Sequence, residues 1–283
     1  MVNKCLRGLN GLLLILCAFA TTYPLLNVLA TSFSGSTAIL SGEVFLWPVD
    51  WTTTAFSNLF KDGQLMNAMK NSVIITLAGT VMQMAVTTLA AYSLSKSRLK
   101  GRQTALLMIL FTMMFGGGLI PMFLLLKNLH ILNTFWAIWL PGLISTYNLF
   151  VMKSSFEGLP GELEESATID GASDLTIFAR IVLPLSKPVL AAISLFYAVG
   201  LWNVYSSALY FITSSSKMPL TVKLYQMIQL PDTNLLDSSD LSFVPPEGMK
   251  AAAIIITVTP ILCLYPFLQK YFVKGVLLGS IKG

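Results

Sequence analysis

The sequence predicts an all-α membrane protein with six transmembrane helices. Its composition supports this prediction, since 55% of the 283 residues are hydrophobic and 11% are charged. Soluble domains carry about twice that charged fraction. Six apolar runs, each near the roughly 20 residues that cross a bilayer, lie at 9–33, 72–94, 104–126, 135–152, 189–212 and 251–268.

The first run follows Lys4 and Arg7 and contains Ala18-Phe19-Ala20, which resembles a signal-peptidase site. The run stays apolar well beyond Ala20, whereas a signal peptide turns polar there. We therefore expect an uncleaved first span.

Lys and Arg are distributed unequally about the runs, and this asymmetry orients them. With the N-terminus inside, twelve of the 18 flank the inner ends of the runs and six flank the outer ends. The twelve are Lys4, Arg7, Lys96, Arg98, Lys100, Arg102, Lys153, Arg180, Lys187, Lys270, Lys274 and Lys282. We expect both termini, and the polar segment between the fourth and fifth runs, on the cytoplasmic side.

The second run carries uncharged polar residues on one helical face. They follow one another at steps of four, four, three and four: Ser72, Thr76, Thr80, Gln83 and Thr87. Such a stripe is costly against lipid, so it either hydrogen-bonds to a neighbouring helix or lines a wet pathway.

The third run contains Gly116-Gly117-Gly118. Consecutive glycines permit a kink or a close approach between helices, and we expect close packing here.

The polar segment between the fourth and fifth runs predicts a short helix followed by a turn. Pro160 suits a first helical turn, and Glu162, Glu164 and Glu165 complement the positive end of a helix that begins there. Gly171 suits a left-handed residue after the helix. A plain cytoplasmic loop is the alternative.

A second helix follows this turn. Ser173 or Asp174 can cap its N-terminus, and Leu183-Pro184 should end it. Leu175, Phe178 and Val182 should fall on one face of this helix.

The fifth run places polar and aromatic side chains within roughly 100° of one another on a continuous helix. They are Trp202, Asn203, Ser206 and Tyr210. Aromatic rings with amide and hydroxyl groups suit a sugar, whereas helix packing or an interfacial aromatic belt is the alternative.

None of the six runs contains Asp, Glu, Lys, Arg or His. Ion-coupled carriers commonly place such residues at membrane depth, so their absence argues against a secondary carrier. The runs also offer no catalytic residues and no metal site, and the chain has no glycine-rich phosphate loop for ATP. Energy must therefore come from a partner.

Several motifs resemble one known family. Glu165-Ser166-Ala167, then Gly171, then Ile181-Val182-Leu183-Pro184 resembles the EAA signature of bacterial ABC importer membrane subunits, with Ser166 where Ala is usual. GGGLIPMFLLLKNLHILNTFWAIWLPG and YPFLQKYFVKGVLLGSIKG are similar to carbohydrate-importer permeases of the maltose type. The subgroup that takes up complex oligosaccharides, such as those from pectin and alginate, is the most similar.

The resemblance implies a type I importer fold, with 1–283 as one permease domain containing a cytoplasmic coupling segment at 162–186, hereafter the EAA loop. Its ATPase-coupling residues would be Glu164, Glu165, Ser166, Ala167, Asp170, Gly171, Ala172, Ile181, Leu183 and Pro184. A C-terminal ATPase contact would use Lys274, Gly275, Gly279 and Lys282. The candidate substrate path comprises Thr76, Gln83, Trp202, Asn203, Ser206 and Tyr210.

The implied partners are a second homologous permease, two ATPase subunits and an extracytoplasmic solute-binding protein, which the loop at 213–250 would contact. ATP and Mg²⁺ would bind the ATPase chains, with no cofactor on this chain and no nucleic acid involved. We expect a permease in the bacterial cytoplasmic membrane that imports an oligosaccharide by ATP-driven alternating access. A membrane scaffold or assembly protein is the first alternative, and a secondary carrier the second.

Overall fold

The computed structural model describes residues 2–61, 63–229 and 244–280, and the side chains between 10 and 263 within those ranges. Every regular element in these ranges is helical, which confirms the all-α prediction. The chain forms two compact units, Met1–Asn67 with Val222–Pro260 and Ala68–Thr221 with Ile261–Gly283.

The first unit begins with three helices. They are α1 (Val2–Ser32), α2 (Ser36–Leu40) and α3 (Thr54–Lys61). The Phe33 ring stacks on Trp51 with 4.7 Å between centroids and lies 4.8 Å from Phe56 of α3. Asn27 of α1 donates its side-chain amide to the Phe45 carbonyl over 2.8 Å. These contacts order the segment between the first two predicted spans.

The second unit contains most of the remaining helices. The chain continues through α4 (Gln64–Ser95), α5 (Arg102–Met114), α6 (Leu119–Asn128), α7 (Trp136–Trp139) and α8 (Thr146–Glu157). It then forms α9 (Gly161–Ile169), α10 (Asp174–Ile177), a π-helical turn (Phe178–Val182), α11 (Leu183–Leu185), α12 (Lys187–Trp202) and α13 (Ser206–Phe211). A 3₁₀ turn (Ser215–Lys217) precedes α14 (Leu220–Gln229) and α15 (Pro246–Ser280).

Three of the predicted spans are single helices in the part of the chain that the structure describes. Asn10–Ser32, Gln64–Ser95 and Pro246–Cys263 are each long and apolar enough to cross a bilayer. The other three predicted spans are divided, because the third comprises α5 and α6, the fourth α7 and part of α8, and the fifth α12 and α13. Two further pairs of helices are bent at a short break: α5 with α6, and Asp174–Leu185 with α12. If each bent pair is counted as one span, the structure has five candidate spans.

The glycine triplet breaks the third predicted span instead of packing it. Helices α5 and α6 meet at an angle of 116° across the triplet, and Gly118 has a φ of +79°. Nothing lies within 4 Å of where a Cβ would stand on any of the three glycines. The expectation of close packing is therefore wrong, because the triplet supplies a left-handed backbone at a break.

The core of the second unit lies where the last turns of α4 meet α8, the α10–π segment and α12. The Tyr92 ring of α4 lies 4.9 Å from the Phe178 ring and 6.5 Å from the Phe156 ring, measured between centroids. Val182 and Ile193 are fully buried beside them. This aromatic cluster supports the EAA loop from within.

Candidate functional site

The EAA loop begins with an exposed nine-residue helix. Pro160 lies directly before α9, and Glu162 and Glu164 occupy its first turn, as the sequence predicts. These carboxylates favour the positive end of the helix dipole. The outward side of α9 carries Glu165 and Ser166, both exposed.

Gly171 ends α9 through two backbone hydrogen bonds. Its N–H donates to the Thr168 carbonyl over 3.0 Å, and the Ala172 N–H donates to the Ala167 carbonyl over 2.9 Å. Gly171 has a φ of +82°, which confirms the predicted left-handed turn, since this pair of bonds forms a Schellman motif. The space beside its Cα is open, so a partner surface can approach there.

Ser173 caps the second helix. Its hydroxyl accepts a hydrogen bond from the Thr176 N–H over 3.3 Å, so the first of the two predicted caps is correct. Asp174 is the first residue of α10 and pairs with Arg98 instead.

The second helix differs from its prediction at both ends. Leu175 is 69% exposed, whereas Phe178 and Val182 are buried with Ile177, so the prediction that Leu175 shares a face with Phe178 and Val182 is wrong. A π-helical turn spans 178–182, with the Leu183 N–H bonded to the Phe178 carbonyl. This wider turn alters the α-helical spacing on which the prediction rested.

Pro184 does not end this helix. Residues 183–185 remain helical, and the break lies at Ser186, after which α12 leaves at a bend of 83°. Pro184 lacks the N–H that would bond to the carbonyl of Arg180, and the preceding π-helical turn relieves the clash of its ring with that carbonyl. Ile181 and Leu183 are half-buried against the core, and Pro184 is exposed.

Ion pairs fasten the EAA loop and its surroundings. The Lys96 ammonium pairs with Glu164 of α9, and the Arg98 guanidinium pairs with Asp174 of α10. A further group nearby consists of Arg102 and Lys153, both paired with Glu157. Hydrogen bonding to Asp174 raises the pKa of Arg98 above its ordinary value. In the sequence these cations indicate only orientation, because the partners of Lys96, Arg98 and Arg102 lie 55 to 76 positions away in the chain. Lys153 is the exception, since its partner is four residues away.

Sequence analysis also missed an apolar residue on the outward side of α9. Ile169 is 86% exposed, next to exposed Asp170. It lies four residues after Glu165 and therefore on the same helical face, which is the signal that could have identified it. Ala167 and Ala172 face inward and pack on the core. Glu164, predicted to meet a partner, pairs with Lys96 of its own chain.

The polar stripe on α4 forms hydrogen bonds to other segments at three of its five residues. The bonds join Ser72 Oγ to the Leu220 N–H over 2.8 Å, Gln83 Nε2 to the Gly142 carbonyl over 2.8 Å, and Thr87 Oγ1 to the Tyr197 hydroxyl over 2.6 Å. These three residues support the packing alternative.

Three atoms of the same stripe have no hydrogen-bond partner among the described residues. They are the buried side-chain oxygens of Thr76, Thr80 and Gln83. A buried polar atom without a partner costs about 1–3 kcal/mol, so a second partner, such as water or a ligand hydroxyl, would stabilise this site. The pathway alternative therefore remains a prediction for Thr76 and Gln83.

The four residues of the fifth predicted span do not share one helical face. Helix α12 ends at Trp202, which is 7% exposed, and α13 begins at Ser206. Asn203 and Ser206 are exposed, as is Tyr210. The predicted grouping within roughly 100° requires a continuous helix, and the helix is broken at 203–205. Trp202 is therefore separated from the other three residues.

The remaining predicted site residues lie where the structure describes only the backbone, or outside the described residues. Lys274, Gly275 and Gly279 are in α15, where the backbone alone is described, and Lys282 lies outside the described residues. The loop at 213–250 is described only at 213–229 and 244–250.

An all-α membrane chain with a capped, exposed helical loop between apolar spans has the architecture of an importer's membrane subunit. The chain belongs to the binding-protein-dependent transport system inner membrane component family, which residues 80–278 match. It is therefore a transport subunit in a membrane, not an enzyme, and the type I importer permease fold is confirmed.

Relatives and a solved structure extend this similarity to nearly the whole chain. Protein LplC of Bacillus subtilis (strain 168) is 44% identical over 93% of this chain and 90% of its own length. The polygalacturonan/rhamnogalacturonan transport system permease protein YtcP of the same organism is 40% identical, over 95% and 96%. A chain in the crystal structure of a bacterial ABC transporter involved in the import of the acidic polysaccharide alginate is 31% identical, with a TM-score of 0.93 over 96% and 98%. Family membership favours the importer over a scaffold or a secondary carrier.

Proposed function

We propose that this chain is one of two homologous permease subunits that carry an oligosaccharide into the cytoplasm by alternating access. ATP hydrolysis in two partner ATPase subunits, which hold ATP and Mg²⁺, drives the cycle. An extracytoplasmic solute-binding protein delivers the sugar, and both termini and the EAA loop lie in the cytoplasm of a bacterial cell.

The observation that carries this proposal is the outward side of α9. It presents the carboxylate of Glu165, the apolar side chain of Ile169 and the open space beside Gly171 on one exposed surface. The opposite side of the loop is fixed to the core through Ala167 and Ala172. A surface that is apolar at its centre and acidic around it suits a protein cleft with an apolar floor and cationic edges.

An oligosaccharide is the proposed substrate because relatives over nearly the full chain transport polysaccharide-derived sugars. The unpartnered oxygens of Thr76 and Gln83 can exchange hydrogen bonds with sugar hydroxyls, as can the exposed Asn203, Ser206 and Tyr210. Neutral groups of this kind bind hydroxyls without the desolvation cost of a charge.

The test of this proposal combines uptake with subunit association for Glu165→Lys. Reversing this charge opposes both the helix dipole and any cationic cleft, so we expect uptake and ATPase co-purification to be lost. Leu163→Lys is the matched control, because it adds a positive charge to an exposed position on the opposite side of α9, roughly 160° from Glu165. Labelled oligogalacturonides and maltodextrins, supplied separately to cells expressing the complete complex, distinguish the sugar class.

Normal uptake and ATPase association for Glu165→Lys would contradict the coupling role. Equal loss in both variants would also contradict it, because the defect would then reflect a general effect of added charge on α9. Absence of ATP-dependent uptake of either sugar by the wild-type complex would contradict the proposed substrate class.

A further inference from the structure

We propose that Lys96 and Tyr92, at the end of α4, are positioning residues that fix the orientation of the EAA loop and transmit its movement into the second span. The proposal rests on the proposed function, because it assumes that the EAA loop meets an ATPase. It adds a route by which movement of the loop reaches a membrane helix.

The Lys96 ammonium occupies a position between two groups. It lies 4.3 Å from the centroid of the Tyr92 ring and hydrogen-bonds to both carboxylate oxygens of Glu164. The Lys96 and Glu164 side chains are 17% and 26% exposed. The Lys96 ammonium thus lies between the Tyr92 ring and the Glu164 carboxylate. These two contacts fix the first turn of α9 relative to α4.

Tyr92 also contacts the second helix of the loop. Its hydroxyl donates to the Asp174 carbonyl at the start of α10 over 3.4 Å, and its ring packs against Phe178. One side chain of α4 therefore supports α9 through Lys96 and α10 directly. Both helices of the loop are positioned by the same residue of the second span.

The covalent route out of the loop is a weaker mechanical connection. The chain passes through a π-helical turn and then a bend of 83° at Ser186 before it reaches α12. A bend between two helices can change its angle with little cost, whereas α4 is a single 32-residue helix. The contact with α4 is therefore the stiffer route.

The neighbouring ion pair supplies an internal comparison. Arg98 and Asp174 join the same two parts of the protein, but their side chains are 65% and 66% exposed. Exposed pairs contribute little because solvent screens them. The proposal consequently assigns the positioning role to Lys96 and not to Arg98.

The test measures the coupling ratio, meaning sugar transported per ATP hydrolysed, for the complete complex in proteoliposomes. The variants are Lys96→Gln, Glu164→Gln and the exchange Lys96→Glu with Glu164→Lys. We expect each single variant to retain bound ATPase and to lower the ratio about tenfold, the effect of losing one charge-assisted contact. The exchange should recover only part of the ratio, because it restores opposite charges but loses the contact between the cation and the Tyr92 ring and opposes the α9 dipole.

Two control variants make the result specific. Arg98→Gln removes the exposed pair, and Lys100→Gln removes an exposed charge from the same interhelical segment. Both should keep the wild-type ratio. If a single variant reduces the amount of complex, the conservative Lys96→Arg, which keeps the charge, should restore both the complex and the ratio.

An unchanged ratio in Lys96→Gln would overturn the proposal, as would an equal loss in Arg98→Gln. Failure of both the exchange and Lys96→Arg to raise the ratio above that of Lys96→Gln would overturn it too. A wild-type complex that hydrolyses ATP without moving sugar would instead count against the proposed function, so the two failures are distinguishable.

Discussion

Helix α4 meets its surroundings in two different ways along its length. At its C-terminal end, the Tyr92 ring and Lys96, the first residue after the helix, hold the EAA loop through aromatic contact and charge. Its middle uses neutral groups, and there the side-chain oxygens of Thr76 and Gln83 are buried without a partner among the described residues.

The difference indicates two mechanical roles for one helix. An ion pair that is largely shielded from solvent and packed against an aromatic ring holds its two groups together, so it fixes the loop against the end of α4. Hydroxyl and amide groups can exchange partners without leaving a charge desolvated, so they permit neighbouring segments to move. We infer that the C-terminal end of α4 moves with the loop, whereas its middle forms a surface along which other segments shift.

The largest expected effect is a loss of stability on substitution of Gly79, in the middle of α4. A Cβ there would lie 2.6 Å from a methyl group of Leu201 and 2.8 Å from the Trp139 ring. Gly79→Ala should lower the free energy of unfolding by about 2–3 kcal/mol, because the ring cannot move aside easily. Gly200→Ala on α12 meets open space and should be neutral or stabilising. Thermal unfolding of the purified complex measures both, and equal unfolding temperatures would refute close packing at Gly79.

The next largest expected effect is on coupled transport, on substitution of Gly171 in the EAA loop. Its φ of +82° should make Gly171→Val unfavourable by about 1–2 kcal/mol and abolish coupled transport. Gly171→Asn should be better tolerated, since Asn adopts left-handed conformations more readily. Uptake by the two variants at equal expression measures the difference. If Asn fails as completely as Val, close approach by the partner, and not backbone conformation, explains the glycine.

The end of α9 and the cap of the following helix show what sequence alone can predict. The end of α9 at Gly171 and the cap at Ser173 depend on neighbours within a few residues, so local chemistry predicted both correctly. The fold class was equally accessible, because composition determines it. The breaks were less accessible, because the glycines at 116–118 allow close packing as well as a kink, and the break at 203–205 lies within a run of high hydropathy, which does not register backbone direction.

The pairing of Lys96 with Glu164 was also beyond prediction from sequence. The two residues are 68 positions apart, and charge counting cannot assign partners at that distance. The same reason hid the contact between Gln83 and the Gly142 carbonyl. Whether each polar residue contributes to packing or to a pathway depends on which segments lie next to it in the tertiary structure.

Ile169 offers a smaller effect on the outward side of the loop. Ile169→Ser should weaken ATPase association by about 1 kcal/mol, because it removes an apolar contact without altering the core. Leu99→Ser, at an exposed apolar residue between α4 and α5, should leave association unchanged. Titration of the purified ATPase subunits against each variant measures the affinities. Equal weakening in both would show that Ile169 has no special role.

The smallest expected effects are at Gln83 and Asn203. Substitutions at these two residues distinguish a role in helix packing from a role in the substrate pathway. Gln83→Leu should lower stability by about 1 kcal/mol, because it removes the bond to the Gly142 carbonyl. Asn203→Leu should leave stability unchanged and raise the KM for sugar, since Asn203 is exposed and bonds only within its own helix end in the contacts observed. Uptake across sugar concentrations, with unfolding measured in parallel, separates these outcomes. A raised KM for Gln83→Leu without loss of stability would place Gln83 in the pathway.

The central claim is that the outward side of α9 is the surface on which an ATPase subunit docks. Cross-linking from Ile169→Cys, in a chain whose Cys5, Cys17 and Cys263 are replaced by Ser, tests it most directly. With a short bifunctional thiol reagent and the complete complex, the permease should cross-link to an ATPase subunit through position 169. The same reagent should give no such product through Leu129→Cys, which is exposed after α6. A cross-link from position 129 and none from 169 would contradict the account.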